Sequence, residues 1–179
     1  IYGDGKGKTI IVNNTGSASV FKMVDSVNMS GTQMGNNLIL TDDEIMPKEI
    51  YIQGITFEQA AGGSIGDVRS TVDLTFANCE FKGNYTDLTS VSSQTAFSFQ
   101  SPAINLTKRV RFLQCTFAQL GYALNQSEFL PGGVLFDHCN FLTMYKGIQT
   151  VNTGSGPSDP IVVQNSSFEG VAREALIAR

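Results

Sequence analysis

The sequence has no run of about 20 consecutive apolar residues, the length that a membrane-spanning helix needs. It is also poor in charge: 16% of its 179 residues are charged, and 12 Lys and Arg stand against 16 Asp and Glu. Only the segment 108–111, with one Lys and two Arg, resembles the basic clusters that bind phosphates. We therefore expect neither membrane insertion nor a nucleic-acid partner.

Cysteine and histidine are scarce, with three Cys and one His. Cys79, Cys115 and Cys139 occupy the same position of an internal repeat, so we expect them to stack as buried free thiols. The sole histidine, His138, stands at a bend position of that repeat and is interpreted as a turn residue, in preference to a zinc ligand or a catalytic base. The sequence predicts no metal and no cofactor.

One eight-residue segment recurs five times, at 50–57, 74–81, 110–117, 134–141 and 161–168, and always ends in Phe. Its first and third residues are apolar, which is the period of a strand with one buried face. The alternation shifts at the fifth position, where a one-residue bend would join two strands. Gly and Asn suit such a bend because they tolerate positive φ, His is the next best and Gln fits less well. The bend residues are Gly54, Asn78, Gln114, His138 and Asn165.

The spacing of the terminal Phe residues predicts the fold. Phe57, Phe81, Phe117, Phe141 and Phe168 lie 24, 36, 24 and 27 residues apart. A coil of about two dozen residues holds three short strands, and coils that stack at ~4.8 Å pair each strand with its counterparts. The sequence thus predicts an all-β, single-stranded right-handed parallel β-helix, or solenoid, with coils of about 24–27 residues.

The rest of the chain fits one domain over residues 1–179. A third strand follows each Phe, marked by Leu120 with Leu124, Met144 with Ile148, and Val171 with Leu176. For residues 1–49 the sequence predicts less regular early coils, with strands near 9–12, 20–24 and 38–40. For residues 50–179 it predicts regular coils. The 36-residue interval predicts an inserted loop near 84–107. The start at Ile1 and the strand-like end before Arg179 predict a fragment of a longer chain.

The Val/Leu-x-Phe-x-Asn/His-Cys-x-Phe pattern and its bend column resemble the pectate-lyase-like right-handed β-helix superfamily, as does the opening segment 3–10. The superfamily includes pectate lyases, polygalacturonases, alginate epimerases, and bacteriophage tailspikes and tail fibres. Of the polygalacturonase motifs, only the Asp-Asp pair has a counterpart in this sequence, at Asp42-Asp43. No carboxylate cluster like that of the calcium-dependent lyases is evident. The resemblance therefore implies a phage tail protein most strongly.

Stacking the repeats in register brings together outward residues about 5 Å apart. Glu49 and Asp73 become adjacent carboxylates, which are candidates for the acid and nucleophile of retaining glycoside hydrolysis. Tyr51, Arg109 and Arg111 lie close by and are candidates for glycan binding. The alternative is a solvated face with weak ion pairs. A second outward set, Asp137 with Asn140 and Gln164, is an alternative site, and Asp137 is a further candidate for glycan binding.

Three functions follow from this interpretation. The first is a structural and host-glycan-binding part of a bacteriophage tailspike, tail fibre or baseplate, which forms a homotrimer in the virion tail and contacts other virion proteins. The second is a secreted or phage-borne polysaccharide-degrading enzyme, a glycoside hydrolase or lyase. The third is a bacterial surface adhesin. In each case the partner is a polysaccharide or cell-surface glycan, and the location is the virion or the extracellular space.

Overall fold

The computed structural model describes residues 1–14, 19–25, 38–42, 49–69, 73–99, 109–126, 133–150 and 160–178. The secondary structure of these residues consists of strands and turns. The strands are β1 (Ile10–Asn13), β2 (Phe21–Asp25), β3 (Leu38–Asp42), β4 (Glu49–Gln53), β5 (Thr56–Gln59), β6 (Ser64–Arg69), β7 (Asp73–Ala77), β8 (Glu80–Lys82), β9 (Thr95–Phe99), β10 (Val110–Leu113), β11 (Thr116–Leu120), β12 (Tyr122–Gln126), β13 (Val134–Asp137), β14 (Asn140–Met144), β15 (Ile148–Thr150), β16 (Ile161–Gln164), β17 (Ser167–Val171) and β18 (Leu176–Ala178).

The strands form three parallel sheets. Sheet A has the order β4-β7-β10-β13-β16, sheet B has β1-β5-β8-β11-β14-β17, and sheet C has β3-β2-β6-β9-β12-β15-β18. From β4 onward the chain visits sheets A, B and C in turn, and each triplet of strands stacks on the triplet before it. This arrangement confirms the predicted all-β parallel β-helix.

Two columns of aromatic rings fill the space between the sheets. The terminal Phe residues of the repeat pair in register along sheet B. Their rings stack in sequence, with centroid distances of 5.6, 5.0, 5.1 and 4.3 Å. Phe76, Phe112 and Phe136 form a second stacked column on sheet A and meet the first column edge to face. Burial of both columns fixes the register of the coils, because aromatic side chains dominate core energetics.

Each predicted bend residue has the left-handed backbone conformation. The φ angles are 69° at Gly54, 49° at Asn78, 55° at Gln114, 53° at His138 and 51° at Asn165. The bend therefore carries the chain from sheet A to sheet B in every regular coil, even where Gln occupies it.

A second column of left-handed residues interrupts sheet B after the Phe. Gln119, Thr143 and Gly170 have φ of 56°, 53° and 64°. The bulge turns the next side chain inward, and Leu120, Met144 and Val171 are therefore in register on sheet B. The prediction that these three belong to the third strand is wrong, whereas their predicted companions Leu124, Ile148 and Leu176 do pair on sheet C.

A strand, β9, lies within the interval 84–107, where the sequence predicts an inserted loop. Residues 83–94 separate β8 from β9, while the single residue Gly121 makes the equivalent link between β11 and β12. β9 lies inside the predicted interval because Phe97 packs in the core against Phe76 and Phe112. The remainder of the interval, 100–107, lies outside the described residues.

The early strands and the cysteines follow the sequence predictions. β1, β2 and β3 coincide with the strands expected near 9–12, 20–24 and 38–40. Cys79, Cys115 and Cys139 are free and buried, and each thiol donates to a backbone carbonyl of the neighbouring coil. Among the described residues no helix is long and apolar enough to cross a membrane.

Candidate functional site

The outward side of sheet A, called here the sheet A face, carries the predicted site. Its strands are in exact register, which pairs Glu49 with Asp73 on the adjacent coil. The next outward column runs through Tyr51, Thr75, Arg111, Leu135 and Val162. The column through Arg111 and the one through Asp73 are thus polar or charged over the first coils and apolar over the last ones.

Four charged side chains on this face form one ion-pair network. Arg111 lies 3.7 Å from Asp73, measured from Nη2 to Oδ2, and 3.8 Å from Glu49, measured from Nη1 to Oε1. Arg109 Nη2 lies 3.6 Å from the same Asp73 oxygen. The structure therefore brings together Glu49, Asp73, Arg109 and Arg111 as the register predicts. Exposed ion pairs contribute little to stability. The charged groups of this network could therefore contact a ligand with little loss of folding free energy.

Asp73 is the most enclosed member of the network. Its side chain is 19% exposed, against 63% for Arg109 and 68% for Glu49. Its Oδ1 atom is buried and has no hydrogen-bond partner among the described residues. Only Oδ2 therefore faces the guanidinium groups, and the carboxylate cannot present both oxygens to a bound sugar.

A cleft of about 270 Å³ opens beside the network. Arg109 and Arg111 line it from one coil, and Leu135, Pro160 and Val162 line it from the next two coils. Gly133 also borders the cleft, at the position that Arg109 occupies one coil earlier, and its missing side chain leaves the space open. Cationic side chains beside apolar ones can hold a ligand that has both hydroxyl groups and a hydrocarbon face.

Tyr51 lies away from the cleft, at the opposite end of the sheet A face. Tyr51 is 41% exposed, and its ring contacts the ring of Tyr2 with a centroid distance of 6.2 Å. Tyr2 could not be predicted as a site residue, because it belongs to no repeat segment. A single isolated β-bridge to Gln53 places it on this face. Sequence reasoning also missed Leu135, Pro160 and Val162 as site residues, although their columns could have been read from the register.

Asp137 belongs to a separate group at the bend between sheets A and B. Its Oδ1 accepts a hydrogen bond from Asn165 Nδ2 at 3.0 Å and lies 2.8 Å from His138 Nδ1. The bond from Asn165, followed by contacts with Gln164 and His138, lowers the pKa of Asp137 below its ordinary value. Asn140, predicted to join this set, instead accepts a hydrogen bond from Ser167 on sheet B.

The described part of the chain contains no group of three or more His, Cys, Asp and Glu side chains arranged to hold a metal ion. His138 is an exposed corner residue with one carboxylate neighbour.

No family model matches the chain, and neither curated proteins nor solved structures give a match. The superfamily relationship consequently remains a resemblance based on the coil motif.

Proposed function

We propose that this chain is a structural and glycan-binding part of a bacteriophage tailspike, tail fibre or baseplate. The stacked coils provide a rigid rod, and the sheet A face binds a host-surface polysaccharide. The observation that carries the proposal is the cleft in which Arg109 and Arg111 stand beside Leu135, Pro160 and Val162.

The chemistry of this cleft suits a sugar. A pyranose ring presents C–H groups on one face and hydroxyl groups at its edge. The apolar side chains of the cleft would cover the C–H groups, while the guanidinium groups donate to hydroxyl oxygens and Asp73 or Glu49 accepts from hydroxyl hydrogens. Because the network has two cations and two anions, it supplies donors and acceptors without a strong net charge.

The phage assignment has separate support. The coil motif resembles a superfamily whose phage members keep the fold and vary their sites, while the enzyme motifs of that superfamily have few counterparts in this sequence. A homotrimer in the virion tail, in contact with other virion proteins, is part of the proposal.

A binding screen tests the glycan proposal. The protein would be titrated with a panel of capsular and lipopolysaccharide glycans, and the dissociation constants measured by calorimetry. We expect Arg111→Gln and Leu135→Ser to weaken binding at least tenfold. Lys82→Gln is the matched control, because it breaks the ion pair with Glu58 on sheet B without touching the cleft. Failure of every glycan to bind, or equal binding by Arg111→Gln, contradicts the proposal.

The register pairing of Glu49 with Asp73 favours one second candidate, a glycoside hydrolase that degrades the polysaccharide. Carboxyl groups about 5 Å apart suit a retaining mechanism. Size-exclusion chromatography of each polysaccharide after incubation separates the two functions. A binding protein leaves the chain length unchanged. A hydrolase shortens it, and Glu49→Gln or Asp73→Asn then abolishes the shortening while the denaturation midpoint is retained.

A further inference from the structure

The sheet A face carries two exposed aromatic rings outside the cleft. Tyr2 is 77% exposed and Tyr51 is 41% exposed. The other aromatic side chains that the structure describes are buried or half-buried. The exposed rings therefore lie together on the face that already holds the cleft, and not scattered over the surface.

The backbone holds this pair in place. Gly3 N donates to Gln53 O at 2.8 Å, which fixes Tyr2 beside β4, and Tyr51 is two residues before Gln53 in the same strand. The ring planes are tilted by 42° with centroids 6.2 Å apart. Because the rings are splayed and not stacked, part of each ring face remains open to a ligand.

We propose that Tyr2 and Tyr51 form an aromatic platform for one sugar ring, a second subsite for the polysaccharide that the cleft binds. This inference rests on the proposed glycan-binding function. A tyrosine covers the C–H face of a pyranose with its ring and reaches hydroxyl groups with its own O–H, so it combines both contacts in one side chain. The Tyr2 and Tyr51 pair supplies two such side chains.

The register sets the length of the ligand. Tyr51 lies two coils from Arg111 and four coils from Val162 in one column. At ~4.8 Å per coil the platform is about 10 Å from Arg111 and about 19 Å from Val162. A ligand that contacts the platform and the cleft together is therefore an extended oligosaccharide along the stacking axis, and a single sugar reaches only one of them.

Fragments of different length test this inference. The probes are a constituent monosaccharide, one repeating unit and four repeating units of the O-polysaccharide, prepared from a lipopolysaccharide of the panel that binds the wild-type protein. We expect wild-type affinity to rise with fragment length. The double variant Tyr2→Ala/Tyr51→Ala should lose about tenfold in affinity for the longest fragment and little for the shortest. Leu135→Ser should weaken binding of all three fragments.

Two controls keep the test decisive. Tyr2→Phe/Tyr51→Phe retains the rings and should retain more of the length dependence than the Ala variant, whereas Val91→Ala removes an exposed apolar side chain elsewhere and should change nothing. Urea denaturation verifies that each variant is folded. Wild-type length dependence in the double Ala variant overturns the platform alone. Absence of binding to any glycan overturns the proposed function and the platform with it.

Discussion

Arg111 and Asp73 face each other across adjacent coils, with Nη2 and Oδ2 3.7 Å apart. The register partner of Arg111 is Thr75 and not Asp73, so the contact is diagonal across the sheet A face. Arg111 thereby reaches Glu49 as well, and one guanidinium group links three coils.

This contact should stabilise the fold only slightly. A double-mutant cycle with Arg111→Gln and Asp73→Asn is expected to give a coupling free energy of about 1 kcal/mol or less, because both side chains are partly solvated. The coupling should fall as salt is added, since screening shortens the range of the interaction. Urea denaturation at low and high ionic strength measures it. A coupling several times larger, or one insensitive to salt, would show that the network is structural.

The stacked rings should dominate stability instead. Phe117 is fully buried between Phe81 and Phe141, so Phe117→Ala is expected to lower the free energy of unfolding by about 3–5 kcal/mol. Phe117→Leu should cost less, because it leaves a smaller cavity. Val91→Ala, at a site that is 77% exposed, should stay within about 0.5 kcal/mol of wild type. Equal urea midpoints for Phe117→Ala and Val91→Ala would refute the role assigned to the column.

The fold could be predicted from the sequence because the strongest packing determinant is also periodic. The terminal Phe and the bend residue recur in every regular coil, so their register needs no knowledge of distant contacts. The second bend column, at Gln119, Thr143 and Gly170, could not be predicted, because the apolar residue that follows each of them also fits the start of a third strand. β9 could not be predicted either, because its alternating apolar residues lie in a stretch rich in Ser, Thr and Gln that resembles a loop.

The charged residues of the candidate site could be predicted from the same register, but the cleft and Tyr2 could not. The register alone places Glu49 beside Asp73 and near Arg111. The cleft depends in addition on Gly133, which contributes no side chain above Arg109, and on Pro160 at its far edge. Tyr2 belongs to no repeat, so its position beside Tyr51 followed only from tertiary hydrogen bonds.

The bend column makes a prediction at Gln114, whose φ is 55°. A β-branched residue is strongly disfavoured in this conformation, so Gln114→Val should lower the free energy of unfolding by about 1–2 kcal/mol. Gln114→Asn should be neutral or stabilising, because Asn tolerates the conformation. Gln53→Val is the control, since Gln53 is in strand β4. Equal effects of Val at positions 114 and 53 in urea denaturation would argue against strain at the bend.

Asp137 makes a prediction about pH. The hydrogen bond from Asn165 is the largest cause that lowers its pKa below the ordinary 3.8. Folding thus favours the carboxylate, so this contribution to stability is present above pH 3.8 and is lost as the pH falls through the lower folded-state pKa. Asn165→Gly removes the donor and keeps a residue that accepts the φ of 51°. We expect the pKa of Asp137, followed by carboxyl ¹³C NMR, to rise toward 3.8 in this variant. The stability difference between wild type and Asn165→Gly should also shrink on acidification, because protonation removes the charge that strengthens this bond in the wild type, whereas the variant lacks the bond at every pH. An unchanged pKa of Asp137 in the variant would show that Asn165 does not control it, and His138→Asn would then test the contact with His138 Nδ1, which lies 2.8 Å from the same oxygen.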